Sequence, residues 1–126
     1  MDNFEAFSNQ QYLNIETYRK SGQPVATPVW FVQERDTLYI HTLETAGKYK
    51  RIRNNPQVRI MPCGARGEPK GEWMSASAQA MPAEEKDRIN RLFRQKYGLQ
   101  KRFFEMLNLF RGGNYVMIAI HPSTSA

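Results

Sequence analysis

The feature that most limits how this chain can fold is a period of two, repeated in short runs over residues 11–81 and abandoned at Pro82. At 11–19, Leu13, Ile15 and Thr17 fall on one side and Tyr12, Asn14, Glu16 and Tyr18 on the other, which predicts a half-buried strand. Residues 25–33, VATPVWFVQ, form the most apolar run and predict a second strand, with Pro28 in its middle. Proline removes a ladder donor, so it belongs at a bulge, on an edge, or where the neighbour is not protein. A flat ring lying against 27–30 would satisfy the last condition. A bulge in a curved strand is the other reading. Further strands are predicted at 37–42, 57–62 and 72–81, the last with a face of Met74, Ala76, Ala78 and Ala80 small enough for close approach of another sheet or subunit. Gly22 suits the turn at 20–24. The loop at 63–71, CGARGEPKG, lacks the spacing of a Walker A loop and reads as a mobile connection.

Beyond Pro82 the period lengthens. Ile89, Leu92, Phe93 and Tyr97 form one stripe, which predicts an amphipathic helix over 82–97 closed by Gly98. Acids at its start and Arg94 and Lys96 at its end suit the macrodipole. Arg88, Arg91 and Arg94 read as a solvated face. A second helix is expected at 100–110, broken by Gly112-Gly113, and a helical turn at 3–8. The continuous apolar run at 115–120, YVMIAI, predicts a buried final strand. Six strands with helices late in the chain predict one α+β domain over 1–126 with an antiparallel sheet, and closure into a small barrel would leave few exposed edges.

The residues 42–56, TLETAGKYKRIRNNP, carry the clearest chemical signal. Lys48, Lys50, Arg51 and Arg53 stand within six residues with no acid among them. Gly47 marks a helix start, and Asn54-Asn55-Pro56 a stop. Strand, tight turn and short basic helix follow one another, and a helix N-terminus favours anions. Lys48 and Arg51, three apart, share a face. The run reads either as a phosphate seat or as a solvated basic face. The chain holds 18 Lys and Arg against 12 Asp and Glu, a net charge of +6, so an anionic partner is expected: a phosphorylated cofactor, nucleic acid or a membrane surface. Only Tyr49 interleaves an aromatic ring with the cluster, which counts against a nucleic-acid-binding barrel.

Other chemistry is sparse. One cysteine, Cys63, cannot form an internal disulfide, no Cys/His cluster has metal-ligand spacing, and this usage suits a reducing cytoplasm. The N-terminal residues lack the basic and apolar segments of a signal peptide, and no apolar run reaches the ~20 residues that span a bilayer. His41 and His121 lack triad partners; His41, next to the basic stretch, reads as a ligand contact or as a satisfied core histidine. With no protein acid, base or nucleophile evident, a catalytic role would need a cofactor to carry the reaction.

These residues resemble the pyridoxamine 5'-phosphate oxidase-like split-barrel flavoproteins, and within them the F420-dependent oxidoreductases. The resemblance rests on YLNIETYRKSGQPVATPVWF at 12–31, LYIHT at 38–42, AGKYKRIRNNPQV at 46–58 and GEWMSASA at 71–78, and is supported by KYG at 96–98 and the terminal YVMIAI. It implies a six-stranded antiparallel split β-barrel with flanking helices. It also implies a homodimer, with coenzyme F420 or FMN bound across the interface and a hydride passed to a small-molecule acceptor. Lys48 matches the family's phosphate lysine, with Gly47, Lys50 and Arg51 beside it. Thr42 matches a hydroxyl near the phosphate, with His41 adjacent. Thr27, Pro28, Val29 and Trp30 match the strand that lines the ring, and Trp73 a residue closing the pocket. The flavin-mononucleotide oxidases proper carry arginine at the positions of Thr27 and Gly47, so the resemblance argues against pyridoxamine-phosphate oxidase activity itself. A cofactor carrier without turnover is the alternative.

Overall fold

The computed structural model describes residues 4–98 and 115–123. A 3-10 turn, Glu5–Phe7, leads into β1 (Tyr12–Tyr18), β2 (Pro24–Trp30), β3 (Val32–Glu34) and β4 (Thr37–Leu43). Then come α1 (Gly47–Asn54), β5 (Gln57–Cys63), β6 (Met74–Ala80), a second 3-10 turn (Ala83–Glu85), α2 (Lys86–Tyr97) and β7 (Tyr115–Pro122). The strands form one antiparallel sheet in the order β2-β1-β5-β6-β7-β4-β3. The architecture is α+β. The helix expected at 100–110 and its Gly112-Gly113 break lie outside the described residues.

The two edge strands of this sheet are successive pieces of one segment. Pro24–Trp30 pairs with β1, Val32–Glu34 pairs with β4, and only Phe31 stands between them. A nearly continuous segment can join both ends of the strand order only if the sheet curls round on itself, as a split barrel does. This corrects the expected strand count from six to seven: the run at 25–33 is interrupted at Phe31. The physical reason lies in α2. Tyr97 accepts a hydrogen bond from the Phe31 N–H at 3.0 Å, and its own proton is shared between the carbonyls of Phe31 (2.6 Å) and Gln11 (2.8 Å). Lys96 donates to the same Phe31 carbonyl at 2.9 Å. The main chain of Phe31 therefore leaves the ladder without being left unsatisfied.

The curled sheet has two cores. Inside lie Leu13, Ile15, Ile40, Ile60 and Ile118, closed by Phe4, Phe7 and Phe31 and by Ile52 of α1. Ala76 and Ala78 belong to this inner cluster, and α1 contacts β6, so the small face of β6 accommodates a helix of the same chain. Outside, Ile89, Phe93 and Tyr97 of α2 pack on Tyr39, Met117 and Ala119. β7 is buried through residues 117–120, as its unbroken apolar run predicts. Arg88 leaves the expected solvated stripe to pair with Glu34 (2.6 Å) and Glu85 (2.9 Å).

β1 is buried on both faces rather than one. Asn14 and Glu16 are each only 6% exposed. Asn14 donates to the Gly67 carbonyl, while Glu16 accepts from Arg59 at 2.7 Å and from Tyr18 at 2.9 Å. The loop after β5 is thus a folded cover rather than a slack connection. It is held by Gly64 N–H to Glu68 O, Gly67 N–H to Gly64 O and Lys70 N–H to Pro62 O, with Gly67 in the left-handed region at φ 86°.

The junction at Phe31 generates a test. Tyr97→Phe should destabilise the protein by about 1–3 kcal/mol in urea denaturation, because it strands a buried N–H while keeping the ring. A loss under ~0.5 kcal/mol would mean that the hydroxyl does not hold the junction.

Candidate functional site: the N-terminus of α1

The local punctuation of the sequence produces α1 where expected. Gly47 opens the helix, and Asn55, extended at φ −145°, ends it with its side chain accepting from the Gln57 N–H. The N-terminus has no side-chain cap, and its first turn carries no acid. Its open N–H groups and partial positive charge are therefore left uncompensated among the described residues.

Two cations are added to this end. The Arg51 side chain folds back along the helix: a Cβ on Gly47 would sit 2.8 Å from its guanidinium, so the missing side chain is what makes room. Arg51 donates from Nε to Thr17 Oγ1 at 2.7 Å, which fixes it against β1. Burial, and then the nearby charge of Arg19, hold the Arg51 guanidinium below its ordinary range. The Lys48 stem is partly exposed, but its ammonium is deeply set among protein atoms, and burial with the Arg51 charge lowers it from 10.5 to about 8. No ion pair to Lys48, Arg51 or Arg19 forms among the described residues. Thr42 lies on β4, on the face that carries Leu38 and Ile40, and α1 packs against that strand. It is 3% exposed, and its hydroxyl has no hydrogen-bond partner among the described residues. Uncompensated cations, open N–H groups and an orphaned buried hydroxyl fit a phosphate group.

The remaining expected residues separate by face. Thr27 and Val29 pair with Ile15 and Leu13, so they share the inner face, and Val29 packs against the inner core. Pro28 sits on an edge strand that pairs with β1 alone, which is where a proline is tolerated. Trp30 faces outward and stacks on Tyr97, ring centroids 4.3 Å apart. His41 also faces outward, against Phe93 at 4.2 Å, with Nε2 2.8 Å from Asn90 Oδ1; burial lowers its pKa to about 4, so it is neutral. The Asn90 carbonyl accepts, which assigns the ring proton to Nε2. Trp73 lies under the Arg59 guanidinium at 5.1 Å, beside the Glu16 pair. Lys50 is exposed. Gly47, Lys48 and Arg51 are therefore brought together, with Thr42 on the strand beneath, while Trp30, His41, Trp73 and Lys50 point elsewhere. Thr17, which anchors Arg51, joins the seat unannounced, while Arg19 acts on Arg51 through its charge and lines a groove with Asn54 and Asn55 at the other end of α1. Thr17 carried one signal, its place on the inward side of β1.

A sequence model of the pyridoxamine 5'-phosphate oxidase family matches residues 1–123. The chain belongs to that family. Solved structures share the fold. An F420 reductase is 17% identical, with 98% of this chain and 96% of that one covered and a TM-score of 0.65. HutZ, the heme storage protein of Vibrio cholerae, is 19% identical over 99% and 93%, with a TM-score of 0.69. General Stress Protein 26 of Bacillus anthracis str. Sterne is 20% identical over 92% and 82%, with a TM-score of 0.64. No curated protein matches the chain. Among the described residues, no helix is long and apolar enough to cross a membrane.

The seat of this family member has a cost that can be measured. Below about pH 8 Lys48 is charged both folded and unfolded, and the folded state bears the full penalty of its burial. Between about 8 and 10.5 the unfolded chain keeps a proton that the folded one has lost, so raising the pH relieves the penalty. Lys48→Met should therefore stabilise the ligand-free protein at pH 7, by something on the order of 1–3 kcal/mol, with the gain shrinking as the pH climbs. Urea denaturation at pH 7, 9 and 10 checks this. A destabilised Lys48→Met at pH 7 would reveal a protein partner for the ammonium.

Proposed function

We propose that this protein binds a flavin-type cofactor, coenzyme F420 or FMN, and uses it as an oxidoreductase acting on a small unsaturated acceptor. The observation that carries the reading is the uncompensated cationic seat at the N-terminus of α1. Lys48 and Arg51 would take the phosphate through charge-assisted hydrogen bonds, the open N–H groups of α1 adding to them. The Thr42 hydroxyl is available as a further donor. The main chain of Thr27 to Trp30, on an edge strand, would lie along the ring and keep water from one of its faces. When bound, the ring supplies hydride chemistry, and the protein's part is orientation and exclusion of water. No side chain need act as acid where solvent or the ring delivers the accompanying proton. We take the working unit to be a cytoplasmic homodimer, with the ring lying between subunits.

Gly47 supports F420 or a differently held FMN over the arrangement of the flavin-mononucleotide oxidases. A side chain at that position would displace the folded-back end of Arg51. A second reading, a cofactor carrier without turnover, is favoured by one observation: the seat contains cations and hydroxyls but no acid, base or nucleophile.

Equilibrium titration of the purified protein with F420 and with FMN tests the proposal, preceded by the absorbance spectrum and mass of whatever co-purifies. Lys48→Ala should weaken binding of the preferred cofactor by about 1.5–3 kcal/mol, the scale of a charged hydrogen bond. Unchanged affinity for both cofactors would remove Lys48 from the site. Tight binding with no reduction of any acceptor would establish the carrier.

A further inference from the structure

A second site lies beside the β2–β3 junction, and it does not depend on the flavin reading. A cavity of about 440 Å3 is lined by Asn9, Gln10, Gln11 and Gln33, by the rings of Phe7 and Tyr97, and by Lys96. Its volume is within the range that holds small organic ligands. Asn9 adopts a left-handed backbone, φ 64°, where the chain turns from the first 3-10 turn toward β1. Asparagine tolerates this conformation in turns.

The chemistry of the lining is one-sided. Four of its residues carry carboxamides, which both donate and accept hydrogen bonds. The single charge is Lys96. Its ammonium donates to the Phe31 carbonyl at 2.9 Å and lies 3.5 Å from the centre of the Phe31 ring, which leaves further N–H donors. Among the described residues no carboxylate pairs with it. The Lys96 stem is exposed, but its ammonium is drawn in against Phe31, and that burial holds it at about 8, a penalty that a bound anion would relieve. The α1 seat gathers two cations and the open N–H groups of a helix start, and suits a doubly charged phosphate. One ammonium among neutral amides suits a single negative charge on a body rich in hydrogen-bonding groups.

We propose that this cavity binds a small organic monoanion, a carboxylate carried on a hydroxyl- or amide-bearing body, with Lys96 holding the carboxylate and the carboxamides of Asn9 and Gln10 its polar substituents. An occupant would sit against Lys96 and Tyr97, the two side chains that hold Phe31, and so would tighten the point at which the curled sheet changes strand partners.

The test is calorimetric and NMR titration of the full chain with two probes, D-gluconate and N-acetylglycine, with glucose as the uncharged control. At least one probe should saturate the wild type. Its affinity should drop about tenfold or more in Lys96→Met, which keeps the stem and removes the charge, and by about threefold in Gln10→Leu. The Lys48→Ala protein should bind it as the wild type does, and glucose should bind about tenfold more weakly or not at all. Thermal melts show which variants are folded; Gln10→Leu, on a turn, carries the test if Lys96→Met is not. Equal affinity in folded Lys96→Met, loss of binding in Lys48→Ala, or failure of both probes to saturate the wild type would each overturn the proposal.

Discussion

The whole architecture turns on how one residue's main chain is satisfied. Phe31 belongs to neither β2 nor β3, yet its N–H and carbonyl are bonded by Tyr97, with Lys96 on the same carbonyl. Without those partners the segment would have to choose between β1 and β4, since a buried main-chain group without a bond is costly. With them, it serves both. The same hydroxyl reaches the Gln11 carbonyl, so α2, the junction and the start of β1 meet at one oxygen. A helix that reads as a mere outer layer thus also determines where the sheet closes.

At α1 the balance is reversed, and polar groups are left wanting. Like charges gather at the positive end of a helix, a hydroxyl is buried with nothing to bond among the described residues, and burial strips protons from a lysine more readily than water would. Folding bears these costs against a stability that is marginal in any domain of this size. Such local conflict between charge and surroundings is expected where function, not folding, has chosen the residues. By contrast two buried polar side chains under the outer face are bonded within the chain, Glu16 to Arg59 and Asn14 to Gly67.

Much of this was legible in the chain, and the division follows distance along it. The ends of α1 were read from Gly47 and Asn54-Asn55-Pro56 because caps are local chemistry. Lys48 and Arg51 were grouped by helical spacing, and they do converge. The interruption at Phe31 was invisible because its cause stands 66 residues away. β1 looked half-solvated because its outer cover, Arg59 and the loop around Gly67, arrives from a distant stretch. Thr17 and Arg19 were missed for the same reason: only the register of the sheet sets them beside α1. Sequence proximity also gathered too much. His41 and Trp30 adjoin residues of the inner face, and the period of two turns them to the other side, where α2 receives them.

Gly47 has a consequence that reaches past its own turn. Glycine is a poor helix former, and exchange for alanine would ordinarily firm up the first turn. Here a single added methyl would press on the Arg51 guanidinium, 2.8 Å away, and the far end of that side chain would have to shift. The weakest helical residue of α1 is thus the one beside which the Arg51 guanidinium lies. A change chosen only to strengthen the backbone would redraw the electric field at the mouth of the barrel while leaving the fold untouched.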